Sequence, residues 1–431
     1  MAAIPVLEEN VLVPANADFG LDVPPLAFDG DARSNPDKAA QRKLVVFPSE
    51  AGFDILPDID RITDYALEPN IFFSPRFAIP GLSRLDDRDV RLLLLHDQSD
   101  DDLSGKRVGN VCLMMPFTVE KPSFQIGPDI VRAWSNPYGP YGLPLIERRG
   151  SEQIVDDFFA TLGQPGVQLP KIVVFPDIFM DSPLASLIRA TALSAGLPMA
   201  TAKPVNRPWL DATIDADSYL HNAISPHHRR NLGRLWRKLE KLGRVEYDIA
   251  RSPEQVRLQM EEFLLLENAG WKGRKRTSLA ADRYRAAFAR EAVNLLAERD
   301  RSRIFTLSLE GRVIASLIVF IEGGRAWTWK TTYDETMREL SPGMQLMTRV
   351  TETLLDDPNV TSADSCALPD HPVMSRIWTQ SRAVTTLVVG THQAKDRDVR
   401  QVASQIDLYR STKETAKSVA DKVRSIFDRK C

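Results

Sequence analysis

The stretch "HHRRNLGRLWRKLEKLGR" (227–244) concentrates positive charge, with seven Lys and Arg residues against a single acidic residue, Glu240. Such a run attracts phosphate-bearing molecules, nucleic acids or anionic membrane surfaces. Its leucines recur at steps of three and four, at Leu232, Leu235, Leu239 and Leu242. This spacing predicts an amphipathic helix over 226–243 that packs on protein through the leucines. The charge then faces a cleft or solvent, where Arg229 and Arg230 can attract an anionic ligand.

Other chemistries find little support among the motifs. The sequence has no G-x-x-x-x-G-K-[ST] loop, no G-x-G-x-x-G and no G-x-S-x-G nucleophile elbow. Cys112, Cys366 and Cys431 are widely separated, and no His and Cys cluster has the spacing of zinc ligands. We therefore expect no metal, and the odd number of cysteines favours a reducing compartment.

The composition of the whole chain narrows the functions that the basic stretch can have. The 431 residues include 55 Lys and Arg against 58 Asp and Glu, giving a net charge of −3. A dedicated nucleic-acid binder would be basic overall, so we expect no DNA partner. The first ten residues lack the pattern of a secretory signal. The longest apolar run, 313–321, is far shorter than the roughly 20 residues that cross a bilayer. We therefore expect a cytoplasmic protein without a membrane span.

The second half of the chain has the clearer order of elements. A strand at 244–249 is followed by a helix with Ser252, Pro253 and Gln255 as its start signals. A second helix precedes three strands with alternating hydrophobicity, "RIFTLSL", "VIASLIVFI" and "AWTWKTTY". A helix, a strand, a short helix and a last strand follow. The order predicts an α/β domain around one mixed sheet.

The first half repeats part of this pattern. "RLLLLHD…GKRVGNVCLMMPF" (91–117) has the shape of "RIFTLSLEGRVIASLIVF" (303–320): strand, polar turn, Arg-Val, longer apolar strand. The match predicts an internal duplication, with two unrelated α/β halves as the alternative. The predicted parts are a disordered N-terminal arm (1–40), a degenerate lobe (41–220), a second lobe (221–400) and a C-terminal helix (401–431).

The order of elements from Arg244 to Gly390 resembles the GNAT acyltransferase fold. A degenerate first lobe, the basic linking helix and "GW-x-G-R" before the hairpins are similar to the double-lobed acetyltransferases associated with cellulose and exopolysaccharide genes. That group resembles the Fem-type aminoacyltransferases. The resemblance implies two tandem GNAT-like lobes, each a mixed β-sheet flanked by helices, and acetyl-CoA or another acyl-CoA as co-substrate.

In such a fold the acyl-CoA enters an opening between two central strands, and its pyrophosphate binds amides at a helix N-terminus. Here the corresponding loop is "ELSPGMQL", in which Ser341 can cap the helix and Gly343 allows close approach. The family's pair of spaced glycines is absent. The donor-binding residues that the resemblance implies are Trp329, Thr331, Arg338, Ser341, Gly343, Met344 and Gln345.

The resemblance also implies direct attack of an amine or hydroxyl on the thioester. Glu267 and Asp364 are the candidate bases, and Tyr333 is the candidate proton donor to the thiolate. The alternatives are a solvated helix-end acid, a loop cap and a core-edge aromatic, respectively. Trp271 and Arg274 are expected to shape the acceptor site.

Two other functions stay open for the sequence. One is a Fem-type transferase that uses aminoacyl-tRNA, and the other is a non-catalytic assembly factor in polysaccharide production. A nucleic-acid binder is a weaker third reading. The acceptor, which can carry phosphate, and the oligomeric state are not fixed by the sequence.

Overall fold

The computed structural model describes residues 26–28, 42–86, 88–97, 110–367, 371 and 374–428. The arm predicted over 1–40 lies outside these residues, except that Leu26–Phe28 form a strand paired with Leu44–Val46.

The elements of the first half alternate between strands and helices. They are β1 (Leu26–Phe28), β2 (Arg42–Pro48), α1 (Gly52–Ile59), α2 (Ile62–Tyr65), α3 (Pro75–Leu82), β3 (Val90–Asp97), β4 (Val111–Glu120), β5 (Ile130–Ala133), β6 (Leu145–Ile146), α4 (Ser151–Leu162), β7 (Ile172–Phe179), α5 (Pro183–Ser194), β8 (Met199–Thr201) and β9 (Val205–Asp211).

The second half repeats the alternation after two linking helices. Its elements are α6 (Ala216–Ala223), α7 (Pro226–Glu240), β10 (Val245–Ala250), α8 (Pro253–Ala269), α9 (Trp271–Arg274), α10 (Arg283–Ala297), β11 (Ser302–Leu309), β12 (Arg312–Glu322), β13 (Arg325–Tyr333), α11 (Pro342–Asp356), β14 (Ser362–Asp364), α12 (Met374–Ile377), β15 (Gln380–Gly390) and α13 (Asp396–Asp428).

The strands form one continuous mixed sheet with the order β1-β2-β3-β4-β5-β7-β15-β9-β14-β13-β12-β11-β10. In each half an antiparallel meander leads into a parallel pair, β5 with β7 and β13 with β14. The predicted α/β class with two similar lobes is confirmed. The repeat lies in the topology, because β2, β3, β4, β5 and β7 of the first half have β10, β11, β12, β13 and β14 at the mirrored places in the order.

The two lobes exchange one strand in each direction. β9 follows the first lobe in sequence but pairs with β14 of the second lobe. β15 follows the second lobe but pairs with β7 of the first. β9 and β15 are also antiparallel partners of each other. The chain boundary predicted near residue 220 therefore separates two sequence halves whose sheets are joined by backbone hydrogen bonds.

Helices from both lobes pack together on one side of this sheet. Phe77 of α3 meets Phe288 of α10 edge to face, with ring centroids 5.3 Å apart. At the rim of this contact Asp60 accepts hydrogen bonds from Arg76 of its own lobe and Arg299 of the other. Burial of large aromatic rings contributes most of the attraction at such an interface, so the lobes form one body.

The basic helix begins at the predicted residue and ends earlier than predicted. The Ser225 side chain accepts the His228 N–H at 3.3 Å, and Pro226 occupies the first turn of α7. Leu232, Leu235 and Leu239 are buried as predicted. Leu242 is not part of this stripe, because α7 ends at Glu240 and the Leu242 side chain is 59% exposed.

The C-terminal helix α13 begins five residues before the predicted start at 401, at Asp396. Val399 and Val402 in its first turns are buried with strands β7 and β15. Its beginning thus covers the sheet where β15 joins the first lobe.

Candidate active site

The candidate site begins where β13 separates from its parallel neighbour β14. The two strands are paired only from Arg325↔Ser362 to Trp327↔Asp364. β13 then continues to Tyr333 with β12 as its strand partner. A strand that leaves its neighbour has backbone N–H and C=O groups available along that edge. This edge can therefore pair with an extended ligand chain.

A bulge in β13 breaks the alternation of its side chains. Ile318 of β12 pairs with Lys330, whereas the next residue, Val319, pairs with Thr328. Trp329 is the extra residue between these pairs. Bulges re-aim side chains and are frequent beside active sites. Here the bulge lies at the point where the two parallel strands have separated.

The cross-strand partners show which layer of helices each side chain faces, because partners share a face. Ile318 packs in the core layer that contains α8 and α10, so its partner Lys330 faces these helices. Ala315, the partner of Tyr333, packs in the layer that contains α11, so Tyr333 faces α11. The end of β13 thus presents different chemistry to its two sides.

Helix α11 begins at the far end of this edge. Ser341 precedes it with a left-handed φ of 52° and, contrary to the prediction, makes no side-chain cap. Its carbonyl instead accepts the N–H groups of Met344 and Gln345 at 3.0 Å. A Cβ added to Gly343 would lie 3.3 Å from Cδ1 of Tyr333. The Tyr333 ring therefore packs over the first turn of α11.

The remaining residues predicted to bind the donor have mixed surroundings. Trp329 is buried, and its Nε1 donates to the Tyr138 carbonyl at 2.7 Å. Met344 packs against the core beneath α11, and Arg338 is exposed. The Gln345 side chain is buried and donates to the Leu232 carbonyl of α7 at 2.8 Å. Its side chain therefore links α11 to α7.

Glu267 lies at the end of α8 and is only 2% exposed. One carboxylate oxygen accepts from Lys272 Nζ at 2.8 Å, and the other accepts the Leu279 N–H at 2.7 Å. Lys272 also donates to the carbonyl of Thr331 on β13 at 2.9 Å. Both oxygens of Glu267 are thus engaged, and the carboxylate holds the lysine against the free edge of β13.

Asp364 is fully buried at the end of β14. Its Oδ2 accepts from Arg207 Nη1 at 3.1 Å, and its Oδ1 accepts the Cys366 N–H at 2.8 Å. Burial alone would lower the pKa of Arg207, but the Asp364 carboxylate keeps it above its usual value. Arg207 belongs to the exchanged strand β9, so this ion pair joins the two halves of the chain.

The "GWKGR" segment is fixed to the loop after β13. Glu335 accepts the Trp271 N–H and an Arg274 N–H, each at 2.5 Å. The hydrogen bond from Arg274 lowers the pKa of Glu335. Trp271 is 46% exposed, with Lys275 Nζ 5.0 Å from its ring centroid. The structure therefore places a basic, aromatic surface beside the end of β13.

The two arginines predicted to attract anions lie in the first turns of α7. Arg229 is half-buried, and Arg230 is exposed with its Nε donating to the Pro226 carbonyl. The bond from Gln345 to Leu232 fixes α7 against the beginning of α11. This contact places the positive charge near the helix N-terminus that the sequence singled out for phosphate.

One residue of the site, Lys330, was missed by sequence reasoning. Its Nζ donates to the Pro137 carbonyl at 3.2 Å and lies 4.5 Å from the centroid of the Tyr138 ring. Both partners belong to the first-lobe loop that follows β5. The available signal was a single charged residue within the apolar strand "AWTWKTTY".

The first-lobe loop is held rigidly in this position. The Asn136 side chain accepts the N–H groups of Tyr138 and Gly139, at 2.8 and 3.1 Å. At the other end Gly142 lies so close to Pro176 that an added Cβ would be 2.5 Å from Cδ of the proline. Only glycine fits this contact, which fixes where the loop leaves the first lobe.

The part of the chain that the structure describes contains no recognisable group of metal-binding side chains. Within these ranges no group of three or more His, Cys, Asp or Glu side chains has the arrangement of a metal site. Cys112 and Cys366, the two described cysteines, are both free thiols.

Residues 226–367 match the family model of the acetyltransferase (GNAT) domain. The match runs from the start of α7 past β14, so it contains the separating strands and α11. Residues 226–367 therefore form a GNAT-type domain. The chain as a whole has a FemX-like fold: the crystal structure of FemX, 10% identical in sequence, aligns with a TM-score of 0.50 over 80% of this chain and 98% of that one. Together with the family match, this likeness confirms the predicted fold class, a mixed sheet flanked by helices with a GNAT domain in the second half.

Two further solved structures are similar over most of the chain. The C-terminal domain of a putative lysylphosphatidylglycerol synthetase from Agrobacterium fabrum is 12% identical, with a TM-score of 0.45 over 83% of this chain and 96% of that one. A tandem GNAT protein from the clavulanic acid biosynthesis pathway is 12% identical, with a TM-score of 0.37 over 82% of this chain and its own full length. No curated protein matches the sequence significantly. Within the described residues no helix is long and apolar enough to cross a membrane.

Proposed function

We propose that the chain is an acyl-CoA-dependent N- or O-acyltransferase whose acceptor attacks the thioester directly. The observation that carries the proposal is the continuity between two features. The free edge of β13 begins after Trp327, and the strand leads through the 3-10 helix Glu335–Leu340 to the N-terminus of α11. An extended thiol ester with a phosphate tail fits such a path, because its amides pair with strand backbone and its phosphates bind a helix N-terminus.

The residues along this path suit an anionic, extended donor. Gly343 has no side chain, so a phosphate can approach the backbone in the first turn of α11. Arg229 and Arg230 add positive charge from α7. Trp329 and Thr331 contribute backbone on β13. The Thr331 carbonyl already accepts from Lys272, so a donor that pairs at this position must share or displace that lysine.

The acceptor approaches, in this proposal, from the side of α8, α9 and α10. Trp271 and Arg274 lie there, and Lys275 and Arg276 are exposed beside them. Exposed aromatic and basic side chains together favour a ring-bearing acceptor with negative charge. An amino sugar, a nucleotide sugar, an amino acid or a polysaccharide precursor carrying phosphate or carboxylate meets this description.

The reaction forms a C–N or C–O bond and breaks the C–S bond, while one proton leaves the acceptor and one joins the sulfur. The acceptor nitrogen or oxygen attacks the thioester carbonyl, the C–S bond breaks, and the sulfur takes up a proton. In this proposal the proton comes from Tyr333, which is 37% exposed and packs on the α11 side of β13. Glu267 and Asp364, each engaged in an ion pair, act in this proposal by holding Lys272 and Arg207 in place.

The test compares Gly343→Asp with Gly343→Asn in binding of acetyl-CoA by calorimetry. Both variants crowd Tyr333 equally, but only aspartate places negative charge where the phosphates bind. We expect a Kd at least about tenfold weaker for Asp than for Asn, equivalent to about 1.4 kcal/mol. Equal affinities would contradict the phosphate site, and no binding of any acyl-CoA by the wild type would contradict the proposed donor.

A second candidate is aminoacyl transfer from tRNA, which the Fem-like fold favours together with the exposed face of α7. Arg230, Arg234, Arg237 and Lys238 are exposed on that helix, and Lys241 is exposed directly after it. If tRNA is the donor carrier, binding of unacylated tRNA weakens steeply with salt, and Arg234→Glu with Arg237→Glu reduces that salt dependence. Acetyl-CoA turnover that is insensitive to this double substitution would favour the acyl-CoA donor.

A further inference from the structure

Lys330 combines a reactive position with contacts from both lobes. Lys330 directly follows the bulge at Trp329 in β13, and its side chain faces α8 and α10. The first-lobe carbonyl of Pro137 and the Tyr138 ring enclose its ammonium group. The side chain is still partly exposed, so a ligand on the acceptor side can contact Nζ.

The charged and titratable groups around Lys330 come from every element packed against it. Lys272 of α9 and Glu267 of α8 face it from the helical layer, Cys366 faces it from the end of β14, and Tyr138 covers it from the first lobe. Loss of water around the ammonium and the nearby charge of Lys272 lower the pKa of Lys330 to about 8, although Glu267 and Cys366 oppose the shift. A lysine in such surroundings has an appreciable neutral fraction near neutral pH.

We propose that Lys330 accepts the proton that the attacking amine loses during acyl transfer. The inference rests on the proposed function, and it assigns a base that neither the sequence nor the fold had indicated. The geometry favours it over the carboxylates. Both oxygens of Glu267 and both oxygens of Asp364 already accept hydrogen bonds within the protein, whereas a neutral Lys330 has a free lone pair.

The proton balance of the step is complete. The acceptor nitrogen forms a bond to the thioester carbonyl carbon and its N–H proton passes to neutral Lys330 Nζ. The C–S bond breaks and the sulfur takes a proton from its own donor, such as Tyr333 or water. Lys330 then releases its proton to solvent. General-base catalysis of this type contributes about 100-fold to 10,000-fold in rate.

The sign of the pH dependence follows from the neutral form being active. As pH rises through the pKa of Lys330, the neutral fraction increases, so kcat/KM rises and levels off above about pH 8. A proton donor in the same position would give the opposite slope.

The experiment follows thiol release from acetyl-CoA at saturating donor with glucosamine and with the more basic ethylamine as probes. Rates are expressed per neutral amine, which removes the titration of each acceptor. The wild type should show the same rise near pH 8 with both amines. A rise that moves with the acceptor, or is absent, would overturn the assignment.

Variants separate proton transfer from a structural role. Lys330→Met and Lys330→Arg should each lose about 100-fold or more in kcat/KM and lose the rise near pH 8, because neither side chain accepts a proton. Lys121→Met, which removes an exposed lysine paired with Asp129, is the matched control and should be unaffected. Added trimethylamine, which has no N–H to acylate, should partly restore Lys330→Ala.

The outcomes distinguish this inference from the proposed function. A wild type that releases no thiol from acetyl-CoA with either amine would contradict the proposed function. An active wild type with Lys330→Met within about threefold of it would overturn the role of Lys330 alone. Labelling with trace acetic anhydride, read by mass spectrometry, measures the pKa of Lys330 without using activity, and an ordinary lysine value there would also overturn it.

Discussion

The two lobes have the same order of strands but differ at the place where the parallel pair separates. In the second lobe, β13 continues from its last β14 partner, Trp327, to Tyr333 and supplies the free edge. In the first lobe the corresponding strand β5 is only four residues long and ends at Ala133. The chain then leaves as the loop that contains Pro137 and Tyr138 and covers Lys330 of the second lobe.

This difference explains why, in the proposed function, the donor site lies in the second lobe. A short β5 removes the edge along which a donor would pair in the first lobe. The residues that follow β5, including Pro137 and Tyr138, instead contact Lys330 of the second lobe. In the proposed function the first lobe provides no donor site but contributes to the acceptor side. The exchanged strands β9 and β15 join the two lobes by backbone pairing.

The largest expected effect comes from the ion pair that joins the exchanged strand to β14. Asp364→Asn removes the carboxylate that is hydrogen-bonded to the buried Arg207, and should cost about 3–5 kcal/mol of unfolding free energy. Chemical denaturation measures this loss, with both lobes unfolding in a single transition. The double variant Arg207→Met, Asp364→Leu removes both charges and should recover most of the stability. Two separate transitions in the single variant would contradict the joined-sheet account.

An intermediate effect is expected for the loop that the first lobe contributes. Tyr138→Ala exposes Lys330 to water, which raises the pKa of Lys330 toward its ordinary value and reduces its neutral fraction at pH 7.5. We expect kcat/KM at that pH to fall about tenfold. Tyr138→Phe retains the ring and is the control, with activity near that of the wild type. Equal activity of the Ala variant would show that the first lobe does not shape the site.

The smallest expected effect compares the starts of the two equivalent helices. Gly150 precedes α4 with φ 71°, and Ser341 precedes α11 with φ 52°. A Cβ at Gly150 meets no atom closer than 4.0 Å, so Gly150→Ala tests the backbone alone and should cost about 1 kcal/mol. Ser341→Gly should change stability by less than about 0.5 kcal/mol, since relief of the left-handed strain offsets the gain in unfolded-state entropy. Thermal unfolding of both variants checks the pair, and a large loss for Ser341→Gly would contradict it.

Local features of the fold were predictable because their causes are close in sequence. The capping box of α8 forms between Ser252 and Gln255 as their spacing predicts. The leucine stripe of α7 and the three-stranded meander follow from periodicity. The end of α7 was placed too late, because Leu242 continues the spacing although the helix has already ended.

The site itself depends on contacts that periodicity does not encode. Arg207 and Asp364 are 157 positions apart, and the pairing of β9 and β15 that brings them together has no local signal. Lys330 looks like an ordinary polar residue of a strand until the first-lobe loop is placed over it. Gln345 lies at the right distance from Gly343 for a phosphate contact, but only the position of α7 shows that its side chain bonds to Leu232.

The central claim is that the donor binds at the second lobe and not at the first. Calorimetry of acetyl-CoA with Gly343→Asp and Gly150→Asp tests it most directly, because each variant places one negative charge at the start of an equivalent helix. The account predicts that Gly343→Asp weakens binding at least about tenfold, while Gly150→Asp binds as the wild type does. Loss of binding in Gly150→Asp with full binding in Gly343→Asp would contradict it.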